Sequence, residues 1–163
     1  MPAGTEIERK WLLDAPPAGL DRHPSEPIRQ GYLAITDEVE VRVRQVAGRA
    51  VLTVKSIADR VRVEEEVEIG SERFDALWPL TEGRRVEKTR HRIPVGGPGE
   101  PSDLTIELDV YAGALAGLVT AEVEFPSEAA AVAFTPPPWL TRDVTDDPRY
   151  KNRALAVAGR PAD

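Results

Sequence analysis

Apolar and polar residues alternate with a period of two again and again along this chain. Val39, Val41 and Val43 interleave with Glu40, Arg42 and Arg44; Leu104, Ile106, Leu108 and Val110 with Thr105, Glu107 and Asp109; and Val119, Ala121, Val123 and Phe125 with Thr120, Glu122 and Glu124. Side chains of an extended strand point alternately to its two faces, so each stretch reads as a strand with one apolar and one polar side. Further strands are read over 5–13, 27–35, 50–57, 60–69 and 84–95. In the last of these Val86 interrupts a parity otherwise held by Lys88, Arg90 and Arg92. Thr36-Asp37 and Gly48 supply turns, and residues 14–26 form a Pro- and Asp-containing loop. Helices are expected from Ser71, as N-cap, to about Leu80, and from Tyr150 to Ala158. Gly96-Gly97-Pro98-Gly99 reads as a turn, because no Gly-Lys-Ser or Gly-Lys-Thr follows to make a phosphate loop.

The polar faces segregate by sign. Arg42 and Arg44 share one strand and Lys88, Arg90 and Arg92 another, whereas acids pair at i and i+2 as Glu6/Glu8, Glu64/Glu66, Glu107/Asp109 and Glu122/Glu124. Like charges this close repel unless a cation lies between them. In the first strand Ile7, Trp11 and Leu13 oppose Glu6, Glu8 and Lys10, whose charges fall within about 13 Å of one another. Two carboxylates beside an ammonium can hold a hard metal ion next to an anion. About eight antiparallel strands is a number at which a sheet can close on itself. A dry interior could not hold so many ions, so the expected fold is α+β: an eight-stranded antiparallel barrel whose charged faces line a wet tunnel. Its apolar faces turn outward under a few short helices.

A chain of 163 residues, 41% hydrophobic and 30% charged, fits a single folded domain spanning 1–163. A net charge of −7 argues against nucleic acid or a membrane surface as partner. The chain has no Cys and only His23 and His91, so a metal would have to be held by carboxylates, as Mg²⁺ or Mn²⁺ is. No apolar run approaches a membrane span or signal-peptide core, and a cytoplasmic location is expected.

The set Glu6-x-Glu8-x-Lys10, Arg42-x-Arg44, Lys55 ending Leu-Thr-Val-Lys, Arg62-x-Glu64-x-Glu66, Lys88-x-Arg90, Glu107-x-Asp109 and Glu122-x-Glu124 resembles the CYTH superfamily, the triphosphate tunnel metalloenzymes. The match keeps the order of the motifs over residues 4 to 155. Gln30-Gly31-Tyr32-Leu33 and Asp147-Pro148-Arg149-Tyr150-x-Asn152-x-x-Leu155 look most like compact bacterial members that hydrolyse inorganic tripolyphosphate. The resemblance implies divalent-metal-dependent cleavage of a triphosphate to pyrophosphate and phosphate, with one or two Mg²⁺ or Mn²⁺ ions. It implies phosphate binding by Lys10, Arg42, Arg44, Lys55, Arg62, Lys88 and Arg90, with Lys151 a further contact. Metal would fall to Glu6, Glu8, Asp109, Glu122 and Glu124, and Lys10, Glu6 and Glu8 would be catalytic. Glu64 and Glu66 would brace the basic residues or aid the metal, with Glu107 and Arg92 towards a tunnel end. Adenylyl cyclase, thiamine or nucleoside triphosphatase chemistry, or a non-catalytic polyphosphate or nucleotide binder, would use the same tunnel. The partner is then a small triphosphate or polyphosphate, and a homodimer is left open.

Overall fold

The computed structural model describes residues 6–57, 63–96 and 103–162. Its strands are β1 (Ile7–Leu13), β2 (Ser25–Ile35), β3 (Val39–Val46), β4 (Arg49–Ser56), β5 (Glu64–Glu68), β6 (Arg85–Pro94), β7 (Thr105–Ala112), β8 (Val119–Phe125) and β9 (Arg142–Asp143). Three short helices join them: α1 (Gly70–Leu77), α2 (Glu128–Ala133) and α3 (Asn152–Ala158). One antiparallel sheet runs in the order β5-β4-β3-β2-β6-β7-β8-β1-β9.

The expected antiparallel α+β sheet with a few short helices is present, without closure into a barrel of eight strands among the described residues. The described sheet has nine strands, and its hydrogen-bonded order ends at β5 and β9. The ninth strand has only two residues, Arg142 and Asp143, too few to show an alternation. It pairs with Trp11 and Leu12 of β1, and the following chain continues the attachment through a hydrogen bond from Val144 N to Lys10 O at 2.8 Å. The strand expected over 60–69 survives as Glu64–Glu68. Arg62 and most of the 96–99 turn lie outside the described residues. Helix α1 starts at Gly70 without a side-chain cap, and Ser71 Oγ instead donates to Gly48 O at 3.5 Å. A 3₁₀ turn over Trp78–Thr81 follows it, and another, Pro148–Tyr150, precedes α3.

The apolar faces turn outward under the helices. Val43 and Ala50 pack beneath Phe74 and Trp78 of the α1 region. Trp11, Leu108, Ala121 and Val123 form a second core with Ala131 of α2 and Leu140. Arg9 fastens α2 to β1, its Nη1 donating to Ala131 O and Phe134 O at 3.2 Å each. These carbonyls lie at the C-terminal end of α2, where a cation is favoured. Gly31 is demanded by close packing, since a Cβ there would meet the buried Thr81 side chain at 2.5 Å.

The third core sits on the polar side of the sheet. Leu12, Tyr32, Val86 and Tyr111 continue the parity of Lys10, Gln30, Lys88 and Asp109, and bury against Leu155 and Ala156 of α3. One end of the concave face is therefore filled by apolar side chains and the C-terminal helix. Val86 breaks the charged alternation of β6 because this is where it points. Among the described residues no helix is long and apolar enough to cross a membrane.

Candidate active site

Strand register brings the charged residues together. β1 turns Glu6, Glu8 and Lys10 to the concave face, and β8 sets Glu122 opposite Lys10 and Glu124 opposite Glu8. β3 contributes Glu40, Arg42 and Arg44, while β4 places Lys55 opposite Glu40. The segment 144–153 crosses the open side of the sheet and adds Lys151, Asn152 and Arg153. Apart from Glu124, these side chains line one cavity of about 740 Å³, within the range of small-molecule sites, about 300–1,000 Å³.

The acidic wall is under electrostatic tension. Burial pushes the Glu8 carboxyl above its usual range, the charges of Glu122 and Glu6 push it further, and Lys10 and Lys151 only partly offset them. Glu122 is also buried, but Lys10 and Lys88 outweigh that burial and hold its carboxyl below the usual range. Lys10 is fixed between two acceptors. Its Nζ lies 3.1 Å from Glu122 Oε1 and donates to Tyr150 O at 2.6 Å. The C-terminal segment is thereby pinned to β1.

The basic wall carries the opposite imbalance. The Nε atoms of Arg42 and Arg44 are buried and have no hydrogen-bond partner. Burial pulls the Arg44 guanidinium below its usual range, and the positive charges of Arg90 and Arg42 pull it further. Among the described residues, Arg42, Arg44, Lys55 and Lys151 form no ion pair with a carboxylate. Buried donors left unmade and cations left uncompensated are costly, and a bound polyanion would satisfy both.

Beneath this wall lies a finished ionic cluster. Asp109, fully buried, accepts from Lys88 Nζ at 2.8 Å and from Arg90 Nε and Nη2 at 2.8 and 2.9 Å. Burial pushes its carboxyl up, but the hydrogen bonds from Arg90 and the charge of Lys88 prevail and hold it below the usual carboxylate range. Arg90 also pairs with Glu107 while presenting itself to the cavity.

Of the residues expected from sequence, Glu6, Glu8, Lys10, Arg42, Arg44, Lys55, Arg90, Glu122 and Lys151 line the cavity. Lys88 and Asp109 lie below it, and both Asp109 oxygens are occupied by cations, unlike those of a carboxylate open to a metal. Glu124 is exposed beyond Glu122, and Arg92 pairs with Glu26 at 2.5 Å. Glu64 and Glu66 stand exposed on the edge strand β5, with Glu66 accepting from Thr53 Oγ1 at 3.5 Å. Sequence reasoning missed Glu40, whose parity with Arg42 gave the signal. It also missed Tyr150, Asn152 and Arg153, for which no strand periodicity exists.

Among the described residues no three acidic or histidine side chains converge closely enough to hold a metal ion by themselves. Mg²⁺ needs no such cage, since it takes one or two carboxylates and completes its shell with water and phosphate oxygens. Glu6, Glu8 and Glu122 supply an oxygen-only donor set, and the mutual repulsion at Glu8 is what a divalent cation would relieve. The residues present fit such an ion.

An antiparallel sheet with ions gathered on one face and most apolar side chains on the other is the arrangement expected from the resemblance to the triphosphate-tunnel proteins. Comparison with known proteins narrows the class. An inorganic triphosphatase of Nitrosomonas europaea is 49% identical over 155 residues, covering 94% of this chain and 98% of that protein. An inorganic triphosphatase of Acetivibrio thermocellus is 36% identical over 155 residues, covering 93% of each. A crystal structure of an inorganic triphosphatase superposes with a TM-score of 0.77 at 48% identity, covering 94% of this chain and 95% of the other. The chain belongs to the inorganic triphosphatase family. No protein-family model matches it.

Proposed function

We propose that this chain hydrolyses inorganic tripolyphosphate to pyrophosphate and phosphate in the ionic cavity, with Mg²⁺ or Mn²⁺ as cofactor. The observation that carries the reading is the pair of buried, unpartnered Nε donors on Arg42 and Arg44. Guanidinium forks match phosphate oxygens two at a time, and their mutual repulsion, offset only in part by Glu107 and Asp109, would be relieved by a bound anion. Lys55, Lys151 and Arg90 extend the positive wall as further phosphate contacts.

Opposite them, Glu6, Glu8 and Glu122 would hold the metal, which when bound polarises phosphate oxygens and lowers the pKa of a coordinated water. Lys10, held by Glu122 and Tyr150 O, presents a fixed positive charge beside the acids. There it would stabilise negative charge gathering on the transferring phosphoryl oxygens. Water adds to the terminal phosphorus as the bond from that phosphorus to the bridging oxygen breaks. Pyrophosphate departs with that oxygen, and the attacking water becomes part of orthophosphate. Lys88 and Asp109 contribute by holding Arg90 in place, since its Nε and Nη2 are both fixed on Asp109. Segment 144–153 spans the open side of the sheet, so the cleft would work as a tunnel without a closed hydrogen-bond ring.

Phosphate release from tripolyphosphate, ATP and thiamine triphosphate, each with Mg²⁺, Mn²⁺ or a chelator, tests the proposal. Tripolyphosphate should be the best substrate and chelation should abolish turnover; release that survives chelation, or a preference for ATP, would overturn it. Arg44→Ala should weaken tripolyphosphate binding by about 10- to 100-fold, the worth of about 1.5–3 kcal/mol for hydrogen bonds to a charged group. Its thermal stability should hold or rise, because the guanidinium it removes has a buried, unpartnered Nε and is repelled by Arg90 and Arg42. An unchanged affinity in a binding titration would remove Arg44 from the site.

A further inference from the structure

A second concavity, of about 720 Å³, lies against the outer side of α3. Its walls are aliphatic: Leu33, Ala34 and Ile35 from the end of β2 face Ala154, Val157 and Ala158 of α3. The charged groups at it are Arg84, Lys151 and Arg153, and no acidic side chain lines it. Arg84 is held in position by donating from Nε to Tyr32 O at 3.0 Å and from Nη2 to Leu80 O at 2.9 Å. Arg153 reaches towards Glu40 of the ionic cavity only at a long 3.9 Å, and Lys151 forms no ion pair among the described residues. Val157 is 56% exposed on the outer face of α3, the side away from the buried Leu155 and Ala156.

From this arrangement we propose a second binding site, for a free alkyl chain that ends in an anionic head, such as a medium-chain carboxylate. The aliphatic lining favours burial of an alkyl chain, and no aromatic ring lines it on which a flat ligand could stack. Three cations in a groove that no acidic side chain lines select a negative head over a neutral or positive one. The site is a groove, which suits a single chain in solution; a vesicle surface would meet the protein as a whole, at a net charge of −7. Lys151 and Arg153 line both cavities, so an occupied groove draws charge from the mouth of the ionic cavity and should weaken tripolyphosphate binding there.

An NMR titration of the ¹⁵N-labelled protein with sodium decanoate below its micelle concentration tests the site without recourse to turnover. Saturable shifts should be confined to 33–35, 84 and 151–158. Decanol and decyltrimethylammonium should bind at least about tenfold more weakly, which corresponds to about 1.4 kcal/mol for the head group. Val157→Asp, at an exposed position outside the ionic cavity, should weaken decanoate binding by at least about the same factor. Its hydrolysis of tripolyphosphate without decanoate should equal that of the parent. Shifts that never saturate, equal affinity for decanol, or an unaffected Val157→Asp would overturn the proposal. So would co-sedimentation with phosphatidylglycerol vesicles in the absence of any response to free decanoate. Because the readout is binding, a protein inactive on tripolyphosphate that still bound decanoate would refute the catalytic reading and leave this one standing.

Discussion

Asp109→Ala is expected to lose about 3–5 kcal/mol of folding stability, the cost of removing one partner of a buried ion pair. The Lys88 side chain is only 3% exposed and the Asp109 side chain not at all. Deleting the carboxylate leaves the ammonium without an ion-pair partner among the described residues, attracted by the Tyr111 ring at 5.4 Å and by the more distant charge of Glu122. Arg90 loses its two bonds to Asp109 at the same time, so phosphate binding should fall together with stability. Denaturant unfolding provides the measurement, and a loss under about 1 kcal/mol would show that the cluster contributes little. Asp109→Leu combined with Lys88→Met should recover much of the deficit, because an apolar pair of similar size removes the stranded charge.

The effect has a pH signature. Asp109 titrates lower in the folded chain than in the unfolded one. Its contribution is complete above the unfolded value, about 3.9, and fades as pH falls through the lower folded value. The stability gap between the parent and Asp109→Ala should therefore be full at neutral pH and shrink in acid below about pH 4.

The faces of the strands were legible in the sequence because alternation is a local property, and a period of two assigns each side chain to a side before any pairing is known. Arg42, Arg44, Glu8 and Glu122 meet in one cavity on that rule alone. How the sheet ends was not legible. β9 holds two residues, and the chain after it spans the open side through hydrogen bonds such as Lys10 Nζ to Tyr150 O, which leave no periodic trace. Division of labour among the acids was equally hidden. Asp109 and Glu122 lie on neighbouring strands with their side chains on the same face, yet Asp109 faces Thr120 and is enclosed by Lys88 and Arg90, while Glu122 opens onto the cavity beside Lys10. That difference is set by depth along the strands, which depends on where α3 plugs the concave face. Val86, a break in the charged alternation of β6, meets the plug together with Leu12, Tyr32 and Tyr111.

Glu8→Gln should have the reverse profile of Asp109→Ala: turnover lost, fold kept or strengthened. Glu8 is solvent-exposed in the cavity beside Glu122 and Glu6, and its carboxyl is pushed up by partial desolvation and by their charges. Glutamine fills the same volume without the charge, so in the metal-free protein the substitution relieves repulsion and the melting temperature should hold or rise. The same neutral amide is a poor ligand for a hard divalent ion, and the substrate oxygens lose the charge that Glu8 would keep opposite the arginines. A fall in kcat of about 10²–10³ is expected, the usual cost of removing one group that organises charge in a transition state. Raising Mg²⁺ should recover only part of it, whereas tripolyphosphate bound through Arg42 and Arg44 should keep most of its metal-free affinity. Parallel loss of stability and activity would make Glu8 a structural residue like Asp109. Undiminished turnover would move the metal site to Glu122 and the remaining acids of the cavity.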